Sequence, residues 1–219
     1  MDVVADEVIV IRSVQVGRPS VLATTADGDE VISAIVKQPV TVPMLALSAI
    51  NLEGDDQADR SVHGGPDKAV YAYSAEHFER WSSEIGIDVG PGTFGENVTV
   101  VGITEADVCI GDRWAWGDAL LEVCQPRWPC FKLTLRTRVR DIGHRMRADG
   151  RTGWYLRVLE PGPVPVAGPI RVAARDAAGV SVLDAHRAQA DRHREDRELH
   201  DRVLSVPALA AEWRIPLEG

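Results

Sequence analysis

Residues 119–133 carry the sequence ALLEVCQPRWPCFKL, in which a strand, a rigid loop and the start of a helix follow one another. The apolar run 119–124 predicts a β-strand. Pro126 and Pro129 end that strand, because proline lacks a backbone N–H and restricts the residue before it. They predict an extended loop. Cys130 follows Pro129 directly, so we expect it at the beginning of the next helix.

Cys130 has the sequence surroundings of a reactive thiol. A helix N-terminus, with Arg127 and Lys132 nearby in sequence, favours the thiolate over the thiol. A thiolate is what a soft metal or a nucleophilic role requires. The alternative is a small buried hydrophobic residue, which describes most free cysteines. The basic neighbours favour the reactive interpretation.

The other two cysteines have apolar neighbours. Cys109 lies between Val108 and Ile110, and Cys124 continues the strand 119–124, so both are predicted in the core. A disulfide between Cys124 and Cys130 would need an oxidising compartment. With 3 cysteines and no CxxC spacing, the chain falls short of the usual ligand set of an iron–sulfur cluster.

Composition limits the classes of partner. The chain has 219 residues, a formal net charge of −9 and no apolar run long enough to cross a membrane. The overall acidity argues against nucleic acid and anionic membranes as partners. Residues 1–7 are acidic where a secretory signal would be basic, so we expect a cytoplasmic location.

Short β-branched segments between glycines and prolines dominate the first three quarters of the chain. Residues 8–16 and 31–37 predict strands, with a hairpin signal at 26–29. Further strands are predicted at 69–73, 97–101, 112–116, 119–124, 154–159 and 170–174. Helices are predicted only at 74–85 and 137–148. This pattern indicates a mostly β protein with some α, built as a closed barrel or a sandwich.

The composition changes after residue 179. Residues 176–179 form a predicted linker, and residues 184–202 are mostly charged or helix-favouring. Pro207 ends one helix, and another begins at 208–213. The sequence therefore predicts a small helical bundle after the β region. Its charged faces are either a solvated cap or a docking surface for an electron donor or for the second subunit of a homodimer.

Two loops have the composition of ligand-binding loops. In the first, two glycines at 64–65 permit close approach of backbone N–H groups, and Arg60, His63 and Lys68 would attract an anion such as phosphate. In the second, 91–97, polar side chains are predicted to point into a cavity. Each loop is equally consistent with a tight turn between strands.

Together these segments resemble the MOSC family, and within it the YiiM branch. The tail at 204–213 is similar to the three-helix appendage of that branch. The resemblance implies a MOSC-type β-barrel domain over residues 1–175 and a small three-helix domain over 180–219. The runs that carry it, in chain order, are 16–19, 35–40, 54–59, 62–70, 94–97, 102–105, 110–112 and 125–133.

The resemblance also implies a cofactor. A MOSC barrel of this branch binds the molybdenum cofactor (Mo-molybdopterin), with Cys130 as the protein thiolate on molybdenum. Basic residues and glycine-rich loops hold the pterin and its phosphate. The matching candidates for cofactor binding are Lys37, Arg60, His63, Gly64, Gly65, Lys68, Asn97, Arg127 and Lys132.

The implied activity is reduction of N-hydroxylated small molecules, including N-hydroxylaminopurines, as a detoxification. Such a reaction needs a proton donor, for which His63 and Asp67 are the candidates beside Cys130. Electrons are expected from a separate flavin or iron–sulfur protein. Trp128 departs from the branch, which carries a smaller residue there. It would either narrow the pocket mouth or pack on the barrel rim.

Two other functions fit the same residues. As a cofactor carrier or sulfur-transfer module, the protein would use Cys130 to hold a persulfide or to hand the cofactor on, without reducing anything. As an anion-binding module with no chemistry, it would bind phosphate or a nucleotide whether or not Cys130 is alkylated.

Overall fold

The computed structural model describes residues 7–58 and 64–218, and this part of the chain holds 12 strands and six α-helices. The strands are β1 (Val8–Val16), β2 (Ser20–Thr24), β3 (Glu30–Ser33), β4 (Gln38–Pro39), β5 (Met44–Leu47), β6 (Val70–Ser74), β7 (Val98–Val101), β8 (Arg113–Trp116), β9 (Ala119–Pro126), β10 (Trp154–Glu160), β11 (Gly162–Pro165) and β12 (Pro169–Ala174). The helices are α1 (Phe78–Ile85), α2 (Phe131–Thr137), α3 (Ile142–Asp149), α4 (Val182–Ala190), α5 (Arg197–Ser205) and α6 (Ala211–Glu218).

Seven strands close into a barrel in the order β12-β8-β9-β10-β6-β7-β1. The barrel closes because β1 pairs with β7 on one side and with β12 on the other. The pair β6–β7 is parallel, and the other neighbours are antiparallel. β4 extends the sheet beyond β1, while β2–β3 and β5–β11 form separate two-stranded sheets. The predicted β-barrel is confirmed.

The barrel interior is filled by large side chains. In β1, Ile9 and Ile11 are buried whereas Val8 and Val10 are about half exposed, as strand alternation requires. Trp114 and Trp154 are fully buried, with ring centroids 5.9 Å apart in an edge-to-face arrangement. Replacing either ring with alanine would cost about 3–5 kcal/mol of unfolding free energy.

Two predicted elements differ from the structure. The predicted strand 31–37 ends at Ser33, and the following residues leave the sheet to line a cavity. The helix predicted at 137–148 begins only at Ile142, as α3, because α2 ends at Thr137, where Arg138 adopts a left-handed conformation with φ of 60°. β5 and β11 are strands that the sequence pattern did not indicate.

The C-terminal three-helix bundle is confirmed. Ser181 begins α4 with a reciprocal capping box to Asp184. Val182, Val203 and Trp213 belong to the same apolar cluster as the barrel core. The backbone N–H of residue 210 also donates to a carbonyl of β9, at 2.9 Å. The division into domains at 1–175 and 180–219 stays a prediction. No helix in the described ranges is long and apolar enough to span a membrane.

Candidate functional site

A cleft with an empty volume of about 620 Å³ opens at one end of the barrel, beside Cys130. We call it the Cys130 cavity. Its walls are the segments that follow β3 and β5, the loop before β7, the loop before α2, and residues from β6 and β10. The lining residues used below are Lys37, Asp55, Lys68, Tyr71, Asn97, Arg127, Cys130, Lys132 and Tyr155.

Asp55 organises one wall of the cavity. Its Oδ1 accepts a hydrogen bond from the backbone N–H of Gly17 at 2.7 Å and forms an ion pair with the ammonium of Lys37. Its Oδ2 accepts from Nδ2 of Asn97 at 3.0 Å. Gly17 is required here because a Cβ would lie 2.7 Å from the carbonyl oxygen of Val36. Asp55 thus holds Lys37 and Asn97 in place.

The loop 91–97 is held from inside by Glu96. Its buried carboxylate accepts from the backbone N–H groups of Gly92 at 2.6 Å and Phe94 at 3.1 Å. Burial raises the pKa of Glu96, and these hydrogen bonds oppose that rise. Asn97 lines the cavity, as predicted, but Glu96 points into the protein and supports the loop. The prediction that the polar side chains of this loop face a cavity is therefore correct for Asn97 and wrong for Glu96.

Arg127 lies buried between two tyrosines. Its guanidinium carbon is 5.4 Å from the ring centroid of Tyr71, and the guanidinium also lies close enough to the phenol of Tyr155 to affect the pKa of both groups. The rings of Tyr71 and Tyr155 are 5.2 Å apart. Burial lowers the pKa of Arg127, but these phenols and Cys130 outweigh it and raise the pKa overall. Within the described ranges, Nη1 of Arg127 is buried without a hydrogen-bond partner.

Cys130 lies where the sequence predicted, as the N-cap residue of α2 and on the wall of the cavity. Cys124 is buried as predicted, whereas Cys109 is only half-buried, against the prediction of a core position. None of the three cysteines is in a disulfide, so Cys124 and Cys130 are not linked.

The structure brings together many of the predicted cofactor-binding residues. Lys37, Lys68, Asn97, Arg127 and Lys132 line the cavity with Cys130. Gly64 and Gly65 are not among the lining residues, although Gly65 adopts a φ of 100° before the turn Pro66–Lys68. That conformation favours glycine and identifies the motif here as a turn. Arg60 and His63 lie outside the described residues.

Asp67 does not face the cavity. Its Oδ1 accepts a hydrogen bond from Nε of Arg157 at 2.7 Å, and Arg157 also pairs with Glu122. A carboxylate held in this ion-pair network is poorly placed to give a proton to a ligand beside Cys130. We therefore correct the prediction of Asp67 as a catalytic residue.

Lys68 connects the cavity to the C-terminal helices. Its Nζ lies 2.7 Å from Oε1 of Glu212 on α6. The lysine exposes 10% of its side chain and the glutamate 62%, so the pair lies at the cavity edge. The three-helix bundle thus supplies a counter-charge to one of the cavity cations.

Trp128 packs away from the cavity. Its ring lies 5.4 Å from that of His186 and 5.8 Å from that of Trp213, both on C-terminal helices. It is absent from the residues that line the cavity. Of the two predicted roles, the structure supports packing, and the ring of Trp128 packs against the C-terminal helices.

Sequence reasoning missed three residues of the site. Asp55 lies in one of the runs that carry the family resemblance. Neither its spacing nor its neighbours indicate that its carboxylate would bind three other residues of the site. Tyr71 and Tyr155 sit on strands β6 and β10, which pair with Tyr71 directly opposite Tyr155. Only this pairing brings the two rings to the same wall, so a single sequence gives no signal for it.

The residues present fit a cofactor that brings its own metal. Among the described residues, no group of three or more His, Cys, Asp or Glu side chains could hold a metal ion. The cavity instead offers one soft sulfur ligand, four cations, and a buried guanidinium nitrogen that lacks a partner. This donor set suits an anionic organic cofactor whose metal needs a thiolate ligand from the protein.

A β-barrel with a thiol-bearing cationic cavity at its end is the arrangement that the comparisons with known proteins place in a family. Residues 59–171 match the family model of the MOSC domain. The protein YiiM of Escherichia coli is 38% identical over 185 residues, which cover 83% of this chain and 81% of YiiM. A protein named Reductase from Gibberella moniliformis is 36% identical over 214 residues, or 95% of this chain but 35% of that protein.

The fold comparison gives the same result. The crystal structure of YiiM from Geobacillus stearothermophilus matches with a TM-score of 0.80 and 32% identity, covering 96% of this chain and 97% of that one. The chain belongs to the MOSC domain family, and YiiM proteins are among its homologues.

Proposed function

We propose that this protein is a molybdenum-cofactor-dependent reductase of N-hydroxylated compounds such as N-hydroxylaminopurines. The observation that carries the proposal is the shared cavity of Cys130, Lys37, Lys68, Arg127 and Lys132. MOSC domains are generally associated with this cofactor, and a relative that aligns with 95% of the chain is named Reductase.

The cavity residues divide the work between the metal and the anionic parts of the cofactor. Cys130 would bind the metal through its sulfur. The lysines and Arg127 would bind the phosphate and the pterin oxygens, because charge-assisted hydrogen bonds from cations suit phosphate. Asp55 would keep Lys37 and Asn97 oriented toward the cofactor. When bound, the cofactor supplies the electron pair that cleaves the N–O bond, so the protein must orient the substrate and provide protons.

Tyr155 is the proton donor that the structure favours. Burial raises the pKa of its phenol, with Arg127 opposing this and Cys130 adding to it. The phenol is therefore protonated at neutral pH. The phenol lies on the wall of the cavity, so its O–H can donate to a bound substrate. Conversion of N–OH to N–H takes up two electrons and two protons and releases water, and Tyr155 would deliver one of those protons.

The test of the site is metal analysis of protein made in cells that synthesise the molybdenum cofactor. Wild-type protein should carry molybdenum and pterin in near-stoichiometric amounts and reduce N-hydroxylaminopurine when given electrons. Cys130→Ser should lose more than about 100-fold in metal affinity, since even outer-shell changes cost about 10–100-fold. Cofactor-loaded protein without reductase activity would favour the carrier function. A Cys130→Ser protein with full activity would contradict the assignment.

A second variant tests the proton donor. Tyr155→Phe should keep its molybdenum and pterin but lose about 10²–10⁴-fold in kcat, the usual contribution of a general acid. The pH dependence of kcat should flatten with it. Tyr71→Phe is the control, because the Tyr71 hydroxyl donates to the carbonyl of Thr152 at 2.7 Å and is not free to act. Equal losses in both variants would reject Tyr155 as the donor.

The proposal requires a partner and a compartment. Electrons would come from a separate flavin or iron–sulfur protein. Three cysteines that form no disulfide fit a reducing, cytoplasmic location.

A further inference from the structure

A second concave surface lies on the C-terminal bundle, away from the Cys130 cavity. Two adjoining hollows, with empty volumes of about 620 and 790 Å³, share Arg194, His200 and Leu217. We call them together the α5 groove. They have no lining residue in common with the Cys130 cavity. The proposed reductase function makes no use of this groove.

His200 is a buried polar side chain at the junction of the two hollows. It exposes 7% of its side-chain surface. In the described ranges, neither ring nitrogen has a hydrogen-bond partner, and Nε2 lies 3.5 Å from the carboxylate of Asp191. Both nitrogens are screened from solvent, so His200 serves as a reporter of the groove and not as a ligand contact.

Three arginines line the groove around His200. Arg192, Arg194 and Arg197 come from the α4–α5 loop and the first turn of α5. No hydrogen bond or ion pair joins their guanidinium groups to other residues within 7–58 and 64–218. Arg194 also has a φ of 51°, a conformation that costs a non-glycine residue about 1–2 kcal/mol. In a protein of net charge −9, this is a local concentration of free cations.

The floor of the groove is apolar. Leu204 and Leu217 line it, and the ring of Trp128 lines its other end. Guanidinium groups prefer planar or tetrahedral oxyanions, which they bind through paired N–H donors. Asp191 and Asp201 are the acidic lining residues, so the cations outnumber them. Cations above an apolar floor suit a ligand with a phosphate and an organic ring.

We propose that the α5 groove binds a small phosphate-bearing molecule, such as a nucleoside monophosphate. The arginines hold the phosphate, and the apolar floor receives the organic part. The site is independent of the cofactor and of Cys130.

The experiment is a titration of the full-length protein with AMP and with inorganic phosphate, monitored by NMR and by calorimetry. The imidazole signals of His200, assigned through His200→Gln, should shift with AMP at up to millimolar concentration. Arg194→Gln/Arg197→Gln should weaken AMP binding at least about tenfold, the equivalent of about 1.4 kcal/mol. The matched control is Arg140→Gln/Arg171→Gln, which removes the same charge elsewhere and should bind as wild type.

Several outcomes would overturn the proposal. His200 signals unmoved by about 10 mM AMP or phosphate, a concentration that would detect even millimolar affinity, would show that there is no site. Equal losses in the control pair would show non-specific attraction. Citrate binding as tightly as AMP would reject the phosphate assignment. Inorganic phosphate binding as tightly as AMP would keep the anion site but reject the role of the apolar floor.

Discussion

The two cysteines at the ends of the segment 124–130 have opposite environments. Cys124 lies in β9 with no exposed surface, and its thiol donates to the carbonyl of Asp67 at 3.2 Å. Burial raises its pKa far above the ordinary value of a thiol. Cys130 lies beyond two prolines, on the wall of a cavity lined by cations. The same residue type is therefore structural at one end of the loop and available for chemistry at the other.

The difference teaches that the loop, rather than the cysteine, creates the site. Pro126 is the last residue of β9, where it still pairs with Trp154 of β10. Pro129 precedes the N-cap of α2, and its carbonyl accepts a weak hydrogen bond from Arg147 at 3.4 Å. Because prolines fix φ and limit the preceding residue, the chain leaves the barrel along one path. That path carries Cys130 out of the core and into the cavity.

The largest expected contrast is in alkylation of the folded, cofactor-free protein. Iodoacetamide should modify Cys130 at least about 100-fold faster than Cys124, because only a thiolate that reagents can reach reacts. A raised pKa means that the Cys124 thiol stays protonated as the pH rises to about 9. Peptide mass spectrometry measures both rates, and addition of denaturant should bring them together. Similar rates in the folded state would contradict the contrast.

A smaller contrast is expected in stability. Cys124→Ala should lower the free energy of unfolding by about 1 kcal/mol, because it leaves a small cavity beside β9. Cys130→Ala should change it by less than about 0.5 kcal/mol, as expected away from the core. Urea denaturation of the cofactor-free proteins gives both values. A larger loss at Cys130 would assign that residue to the fold as well as to the site.

The smallest effect couples the two regions. The carbonyl of Cys124 accepts from the backbone N–H of Ala210, which fixes the start of α6, and Glu212 on that helix pairs with Lys68 in the cavity. Glu212→Gln should strengthen cofactor retention about two- to threefold, because it leaves Lys68 without its counter-charge and an exposed ion pair contributes less than about 1 kcal/mol. Glu218→Gln on the same helix is the control. Retention of molybdenum during dialysis measures both variants.

Much of the fold was predictable because its elements follow local rules. Strands such as Val8–Val16 show clear β-branched runs, and a change in composition indicates where the helical bundle begins. The predicted strand 31–37 was wrong at its C-terminal end, because the residues that follow Ser33 line the cavity instead of continuing the strand. No local sequence pattern indicates the hydrogen bond between the backbone N–H of Gly17 and the carboxylate of Asp55.

The site was predictable in part, and for a physical reason. Cys130 and Arg127 lie in one short loop, so their proximity is a matter of sequence. Asp67 lies close in sequence to Lys68, yet the turn Pro66–Lys68 directs its carboxylate to Arg157 instead of the cavity. Asp55 and Tyr155 reach the site only through strand pairing and loop packing. Such contacts are decided by tertiary structure.

The closure of the barrel between β1 and β12 has a consequence for synthesis of the protein. β1 is made first, but one of its partners, β12, leaves the ribosome only after all the other barrel strands. Until then the sheet has two open edges, at β1 and at β8, and open edges recruit other chains. A nascent chain interrupted before Pro169 is therefore expected to bind chaperones or to aggregate. Pairing of the last strand removes both open edges and completes the barrel.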